Sequence, residues 1–158
     1  MEDTSLRFDT LNTLLSEFIN DFMNTYKAFL IRDNKKASGN LIDSIREYSI
    51  IYEGNNITAE ISLASYWKYV EYGRKPGRFP PIQNIFSWID KKPVMPRPVN
   101  GLKAPSRKQL AYLVARKIAR EGIKPGNQMQ EALNVVWERW KYPISNAIDE
   151  DIKVFLST

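Results

Sequence analysis

The sequence predicts an α+β fold: a long N-terminal helix, a small antiparallel β-sheet built on a hairpin, and C-terminal helices. Three observations predict it. Apolar residues recur at three- and four-residue steps from about Ser5 to Ile31, and again from Ser106 to Phe155. Between these stretches, residues 48–63 alternate with period two on either side of a Gly-Asn-Asn turn. The length of 158 residues, 43% hydrophobic and 26% charged, suits one folded domain better than two. The expected organisation is therefore a single domain over 1–158, with an N-terminal helix in 1–32, a turn and hairpin in 38–65, an aromatic and proline-rich region with a short helix in 66–105, and helices in 106–158.

In the first helix Phe8, Leu11, Leu15, Phe18, Phe22, Tyr26 and Phe29 make one stripe, widened by Leu14, Ile19, Met23 and Leu30. Asp3 or Thr4 is placed to cap its start, and the polar run Arg32-Asp33-Asn34-Lys35-Lys36 ends it. Such a stripe is core material, and the C-terminal helices carry a matching one, so the two are expected to pack together. The alternative is that a helix of this length outreaches the domain and packs on a neighbouring subunit. Ser38-Gly39-Asn40-Leu41 then forms a turn leading into a short helical segment or directly into a strand. In the hairpin, Tyr48, Ile50 and Tyr52 alternate with Ser49, Ile51 and Glu53, and Ile57, Ala59, Ile61 and Leu63 alternate with Thr58, Glu60 and Ser62. Gly54-Asn55-Asn56 supplies the turn. A lone hairpin is marginal in water, so its apolar face is expected to lie on the long helix or on further strands.

The stretch Tyr66–Pro81 packs five aromatics, two glycines, three prolines and four cations into sixteen residues. Gly73 and Gly77 permit positive φ, while Pro76, Pro80 and Pro81 fix φ and remove donors, so a definite backbone path is specified. A short helix with Ile82, Ile85, Phe86 and Ile89 opens near Pro81, and a proline-rich cationic loop runs from Lys91 to Pro105. Ser106 and Gln109 form a capping box; the helix continues through Leu110, Leu113, Val114 and Ile118 and stops at Gly122. After the connector Ile123-Lys124-Pro125-Gly126, Asn127 is expected to cap a helix with Met129, Leu133, Val136, Trp137 and Trp140 on one stripe. Pro143 should break or kink it, and Ile144, Ile148, Ile152 and Phe155 continue the spacing.

Charge is unevenly spread. The formal net charge is +5, yet residues 1–66 hold 6 Lys/Arg against 10 Asp/Glu, and 74–124 hold 13 against 2. A basic block of this kind meets nucleic acid or an acidic protein face. The opposite signs of the two ends would also suit head-to-tail contacts between copies. The chain has no Cys and no His, which excludes disulfides, zinc sites with Cys or His ligands, and Ser-His-Asp or Cys-His catalysis. No apolar run approaches the roughly 20 residues of a membrane span. The N-terminus, with Glu2 and Asp3, does not read as a signal peptide, so the chain is expected to stay in the compartment that makes it.

Other constellations have plain readings. Asp149-Glu150-Asp151 cannot converge on one ion from consecutive helical positions, and is expected to be a solvated acidic face. Glu71 lies in an aromatic setting that could raise its pKa, but with no second carboxylate nearby it is expected to partner Arg74 or a backbone amide. Gly73-x-x-x-Gly77 lacks the Gly-Lys-Ser/Thr ending of a phosphate loop. The cations Arg74, Lys75, Arg78, Lys91, Lys92, Arg97, Lys103, Arg107 and Lys108, with Trp67, Tyr69, Phe79 and Trp88 nearby, could track nucleic acid by salt links and stacking.

Three segments, in order, resemble the tail-completion or neck protein family of tailed bacteriophages, which joins the DNA-filled head to the tail. They are Ser38-Gly39-Asn40-Leu41-x-x-Ser44-Ile45, where the family tends to show Thr-Gly-x-Leu-x-x-Ser; Tyr69-Val70-Glu71-Tyr72-Gly73 followed by Pro80-Pro81 and a helix with Trp88; and Leu113–Pro125 followed by a helix opening at Met129–Leu133. The loop at 93–105 is longer than that pattern, and the extension beyond Trp140 lies outside it. The resemblance implies a small non-enzymatic virion protein, without cofactors, catalytic residues or metal ligands. It would work as a six- or twelve-fold ring around the DNA channel, beside portal or adaptor proteins and tail proteins, made in the host bacterial cytoplasm. The alternative is a basic DNA-binding accessory protein that uses the 74–124 block directly. Contacts between copies are expected from Trp67, Tyr69, Glu71, Arg74, Lys75, Arg78, Phe79, Lys91, Lys92 and Arg97, because interface centres are enriched in aromatics and arginine.

Overall fold

The computed structural model describes residues 9–34, 39–53, 56–91, 96–98 and 103–157. Over these the order is α1 (Asp9–Arg32), α2 (Asn40–Ser44), β1 (Tyr48–Glu53), β2 (Asn56–Ile61), α3 (Trp67–Glu71), α4 (Ile82–Lys91), α5 (Arg107–Glu121) and α6 (Gln128–Leu156). The fold is α+β, with the long N-terminal helix, the antiparallel hairpin and the C-terminal helices the sequence predicts. The residues group into two compact units, each discontinuous in sequence. The first takes Met1–Leu30, Ile45–Ser62 and Gln128–Thr158 over their described residues, and the second takes Ile31–Ser44 and Leu63–Asn127.

In the first unit α1 and α6 pair. The Leu11 N–H donates to Asp151 Oδ2 at 3.0 Å, while Asp21 Oδ2 accepts from Arg139 Nη1 at 2.6 Å and from Trp140 Nε1 at 2.8 Å. Ten residues of α1 and eleven or twelve of α6 separate these contacts, about 15–18 Å on each helix, so the two run antiparallel. The rings of Phe18 and Trp137 meet edge to face at 6.4 Å. Leu11 is in the first turn of α1, where N–H groups have no intrahelical acceptor and a negative charge is favoured. Asp151 meets both needs from the far end of the chain. It is buried, whereas Asp149 and Glu150 are exposed. The expected acidic face thus holds only for those two.

The core of this unit is centred differently from the predicted stripes. Leu11, Ile19, Phe22, Met23, Tyr26 and Leu30 are the buried apolar residues of α1, with Leu15 and Phe18 only half-buried. On α6 the buried line is Gln128, Ala132, Val136, Ala147 and Asp151, while Leu133 and Trp137 are exposed. The buried positions of α6 are thus mostly small, while the larger Leu133 and Trp137 keep part of their surface exposed. Asn127 adopts φ 59, in the left-handed region that Asn tolerates, rather than the extended geometry of an ordinary N-cap. α6 runs through Pro143 as one helix, without the N–H that would reach the Arg139 carbonyl.

The hairpin pairs Tyr48 with Ile61, Ile50 with Ala59 and Tyr52 with Ile57 on its apolar face. Tyr48, Ile50 and Ile61 are half-buried, and Tyr52, Ile57 and Ala59 are exposed. The expectation that the whole apolar face is covered therefore holds only near the base, since no third strand joins the sheet among the described residues. Gly54 and Asn55 of the predicted turn lie outside those residues, as do Asp3, Thr4, Phe8, Lys35, Lys36 and Ser38.

In the second unit α4 packs on α5. Ala111 and Ala115 are fully buried with Ile89, whereas Leu113, predicted on the core stripe, is exposed. The Ser106–Gln109 capping box is formed in both directions, and Gly122 ends the helix with φ 76. Gly39 adopts φ 83 at the start of α2, where its carbonyl accepts from the Asp43 N–H. Ser44 Oγ donates to the Leu41 carbonyl at 2.7 Å and accepts from the Ala64 N–H at 2.9 Å. One hydroxyl thus ties the chain entering the hairpin to the chain leaving it.

Replacing Asp151 with Ala removes the acceptor of a buried N–H and is expected to cost about 1–3 kcal/mol. Thermal unfolding should show the melting temperature falling by roughly 3–10 °C, and by less in Asp151→Asn, which keeps an acceptor. An unchanged melting temperature in Asp151→Ala would remove the capping role.

Candidate protein interface

The segment Tyr66–Pro81 opens with α3, five residues that the sequence did not mark as a helix. Its turn is closed by Trp67 N–H to the Ala64 carbonyl at 2.9 Å and by Tyr72 N–H to the Lys68 carbonyl at 2.8 Å. A helix this short has no stability of its own, so it depends on what anchors it. The anchor is the chain after α5. The Glu71 carbonyl accepts the N–H groups of Gly126 at 2.9 Å and Asn127 at 3.2 Å. Arg74 and Ile123 then exchange both backbone hydrogen bonds, at 2.9 and 2.7 Å, and Gly77 N–H reaches the Ala119 carbonyl at 2.8 Å.

This crossing explains two of the glycines. Gly73 has φ 67, and a Cβ there would run into the Ile123 carbonyl oxygen and stand 2.7 Å from Pro125 N. Gly122 has φ 76, and its Cβ would run into the Arg74 carbonyl oxygen. Each glycine thus permits both a left-handed conformation and a contact between backbones. Gly77, at φ 129, faces open space.

The crossing displays a set of rings and cations. Tyr69 and Tyr72 are 60% and 66% exposed, and Tyr66 and Phe79 are exposed as well. Trp67 is half-buried, tilted against Tyr72 at 5.9 Å, with the Lys68 ammonium 6.0 Å from its ring centre. Phe79 lies against Tyr112 of α5 at 5.7 Å. Lys75 and Arg78 are exposed. Arg74 is half-buried, and its Nη2 donates to the Arg78 carbonyl, so this guanidinium holds the loop as well as offering charge.

Glu71 is 2% exposed, so its side chain belongs to the scaffold and not to the surface expected of it. Lys91 is exposed at the end of α4, and Arg97 is exposed in the 96–98 segment. Lys92 lies outside the described residues.

Both acids of the 74–124 block are already paired. Asp90 accepts from Arg107 at 2.9 Å, and Glu121 takes Arg120 and, at 3.9 Å, Lys117. The Arg120 hydrogen bond above all holds the Glu121 carboxyl below the usual range, against the opposing effect of desolvation and with help from the charges of Arg120 and Lys117. Lys75, Arg78, Lys91, Arg97, Lys103, Lys108, Arg116 and Lys124 remain as exposed cations among the described residues.

Sequence reasoning missed one element of this surface. Lys103, Pro105, Lys108, Gln109, Tyr112 and Leu113 line an open groove of about 510 Å³. The signal was present in Ala111 and Ala115, a small-residue pair four apart, which turns Leu113 away from the core. Among the described residues no group of three or more carboxylates is placed to hold a metal ion. Rings beside unpaired cations on a fixed backbone are suited to recognition of a macromolecule. No protein-family model, curated protein or solved structure matches this chain.

The two classes of glycine give a direct contrast. Gly73→Ala and Gly122→Ala must displace a carbonyl as well as adopt positive φ, and each is expected to cost more than about 3 kcal/mol. Gly77→Ala meets only the conformational cost, about 1–3 kcal/mol. Chemical denaturation should rank them in this order, and equal losses at Gly73 and Gly77 would overturn the steric account.

Proposed function

We propose that the chain is a structural subunit of a tailed-bacteriophage neck, a head–tail connector or tail-completion protein that assembles as a ring around the DNA channel. The reading begins in the sequence resemblance, and one observation supports it. Residues of the second and third resembling segments meet in specific contacts within one compact unit, and the first segment makes a defined turn of its own. Gly39 and Ser44 fix α2 and clamp Ala64, while Gly73 of the second segment and Gly122 of the third make a backbone crossing that tolerates no side chain. These residue types are therefore explained by position and not by catalysis. The crossing holds exposed rings and cations in place, as a subunit contact requires.

In this reading the partners are further copies of the chain, portal or adaptor proteins and tail proteins, and the site of action is the virion. No helix is long and apolar enough to cross a membrane among the described residues, in keeping with such a place. A second reading, direct DNA binding by the 74–124 block, draws on the cations left unpaired there and on Phe79 and Tyr112 as stacking surfaces.

Native mass spectrometry and negative-stain microscopy of the purified chain test the ring. Closed particles are expected, with masses at a fixed multiple of 18.4 kDa. The chain should also be detected in purified phage particles, and its absence from them would end the neck reading. A monomer whose DNA affinity falls steeply with salt would favour the second reading.

A further inference from the structure

One side of α5 alternates cations with a ring. Lys108, Tyr112 and Arg116 follow one another four residues apart, so they share a row of the helix at steps of about 6 Å. All three are exposed. Phe79 lies against Tyr112 at 5.7 Å with the rings tilted by 39°, and both rings keep exposed surface. Arg78, the residue before Phe79, is exposed as well. Lys108 and Tyr112 also line, with Lys103, the open groove of about 510 Å³, which has room for a nucleotide-sized group.

The charge on this side is not neutralised. Arg78, Lys103, Lys108 and Arg116 have no ion-pair partner among the described residues. Of the two acids in 74–124, Asp90 is held by Arg107. Glu121 comes nine residues after Tyr112, which puts it on the opposite side of α5. An anionic ligand is therefore attracted, and the rings set among the cations narrow its kind. An acidic protein face supplies carboxylates without flat rings between them. A polynucleotide supplies a phosphate and a flat base at every unit. In a duplex the faces of the bases are covered by their neighbours, so only edges and phosphates can be reached. In a single strand the faces are free to stack on aromatic side chains.

We propose that this side of α5 binds single-stranded nucleic acid, with phosphates held by Arg78, Lys103, Lys108 and Arg116 and a base stacked on the Phe79–Tyr112 pair. The site rests on the second reading above, nucleic-acid binding by the 74–124 block, and names the form of nucleic acid that the block takes.

Fluorescence anisotropy tests the site in the full-length chain, with a labelled oligothymidylate of about 16 nucleotides and the same strand annealed to its complement. The single strand is expected to bind roughly tenfold tighter than the duplex. Tyr112→Leu keeps apolar bulk but loses the flat face, and should weaken single-strand binding by roughly fivefold to a hundredfold. Tyr112→Phe should bind as the wild type does. Each phosphate contact on a single strand contributes about 0.7 to the slope of log affinity against log salt, so Lys108→Ala/Arg116→Ala should make it shallower by about 1.4. Circular dichroism checks that each variant is folded.

A duplex bound as tightly as the single strand, or a Tyr112→Leu or Lys108→Ala/Arg116→Ala variant that binds unchanged, would overturn the single-strand site and leave nucleic-acid binding by the block standing. Polyglutamate that displaces the strand at equal charge would overturn the site in favour of an acidic protein partner. Binding of neither form at low salt would overturn the site and the second reading together.

Discussion

The second unit depends on the place where Arg74 and Ile123 exchange backbone hydrogen bonds. Two bonds of this kind contribute only about 1 kcal/mol each. Their importance is geometric. They bring two backbones so close that Gly73 and Gly122 have no alternative, and Pro76 and Pro125 stand nearby with no donors to misdirect. α3, too short to persist by itself, is held because its last carbonyls accept from Gly126 and Asn127. The exposed tyrosines owe their positions to this tie and not to burial of their own rings.

In the first unit, strength and register come from different sources. Each fully buried Leu, Ile or Phe contributes roughly 1.5–3 kcal/mol, and α1 alone buries several. The Asp21–Arg139 pair, with Arg139 57% exposed, adds at most about 1 kcal/mol once solvent screening is counted. Apolar stripes alone would tolerate a slide of one helix along the other. The two aspartates do not, because Asp151 meets an N–H available only in the first turn of α1, and Asp21 must reach Arg139 and Trp140 together.

The types of element were legible because they rest on local rules. Period and alternation marked the long helices and the hairpin, and Ser106, Gln109 and Gly122 marked both ends of α5. The faces were less legible. Hydrophobicity ranks Leu113, Leu133 and Trp137 above alanine, but where α4 and α5 approach closely Ala111 and Ala115 take the centre, and on α6 Ala132 and Ala147 are among the buried positions. Sequence showed that Gly73 and Gly122 were unusual without showing that they meet, since their contact joins residues far apart in the chain. Asp151 was misjudged for the same reason: nothing beside it in sequence shows a helix start to cap. Of the expected surface, Tyr69, Lys75, Arg78 and Phe79 are exposed, while Glu71 turned inward because its backbone is the anchor.

The discontinuity of the two units has a consequence for the order of events during synthesis. The first unit cannot close until α6 has left the ribosome, because its helix pair joins residues 140 positions apart. α1 emerges first and must wait with its apolar stripe uncovered while the whole second unit is made. The second unit has all of its parts by Asn127 and can fold in that interval. Long-range closure of this kind is slow and leaves sticky intermediates exposed. Chaperone demand should therefore fall mainly on α1, during translation of residues 31–127.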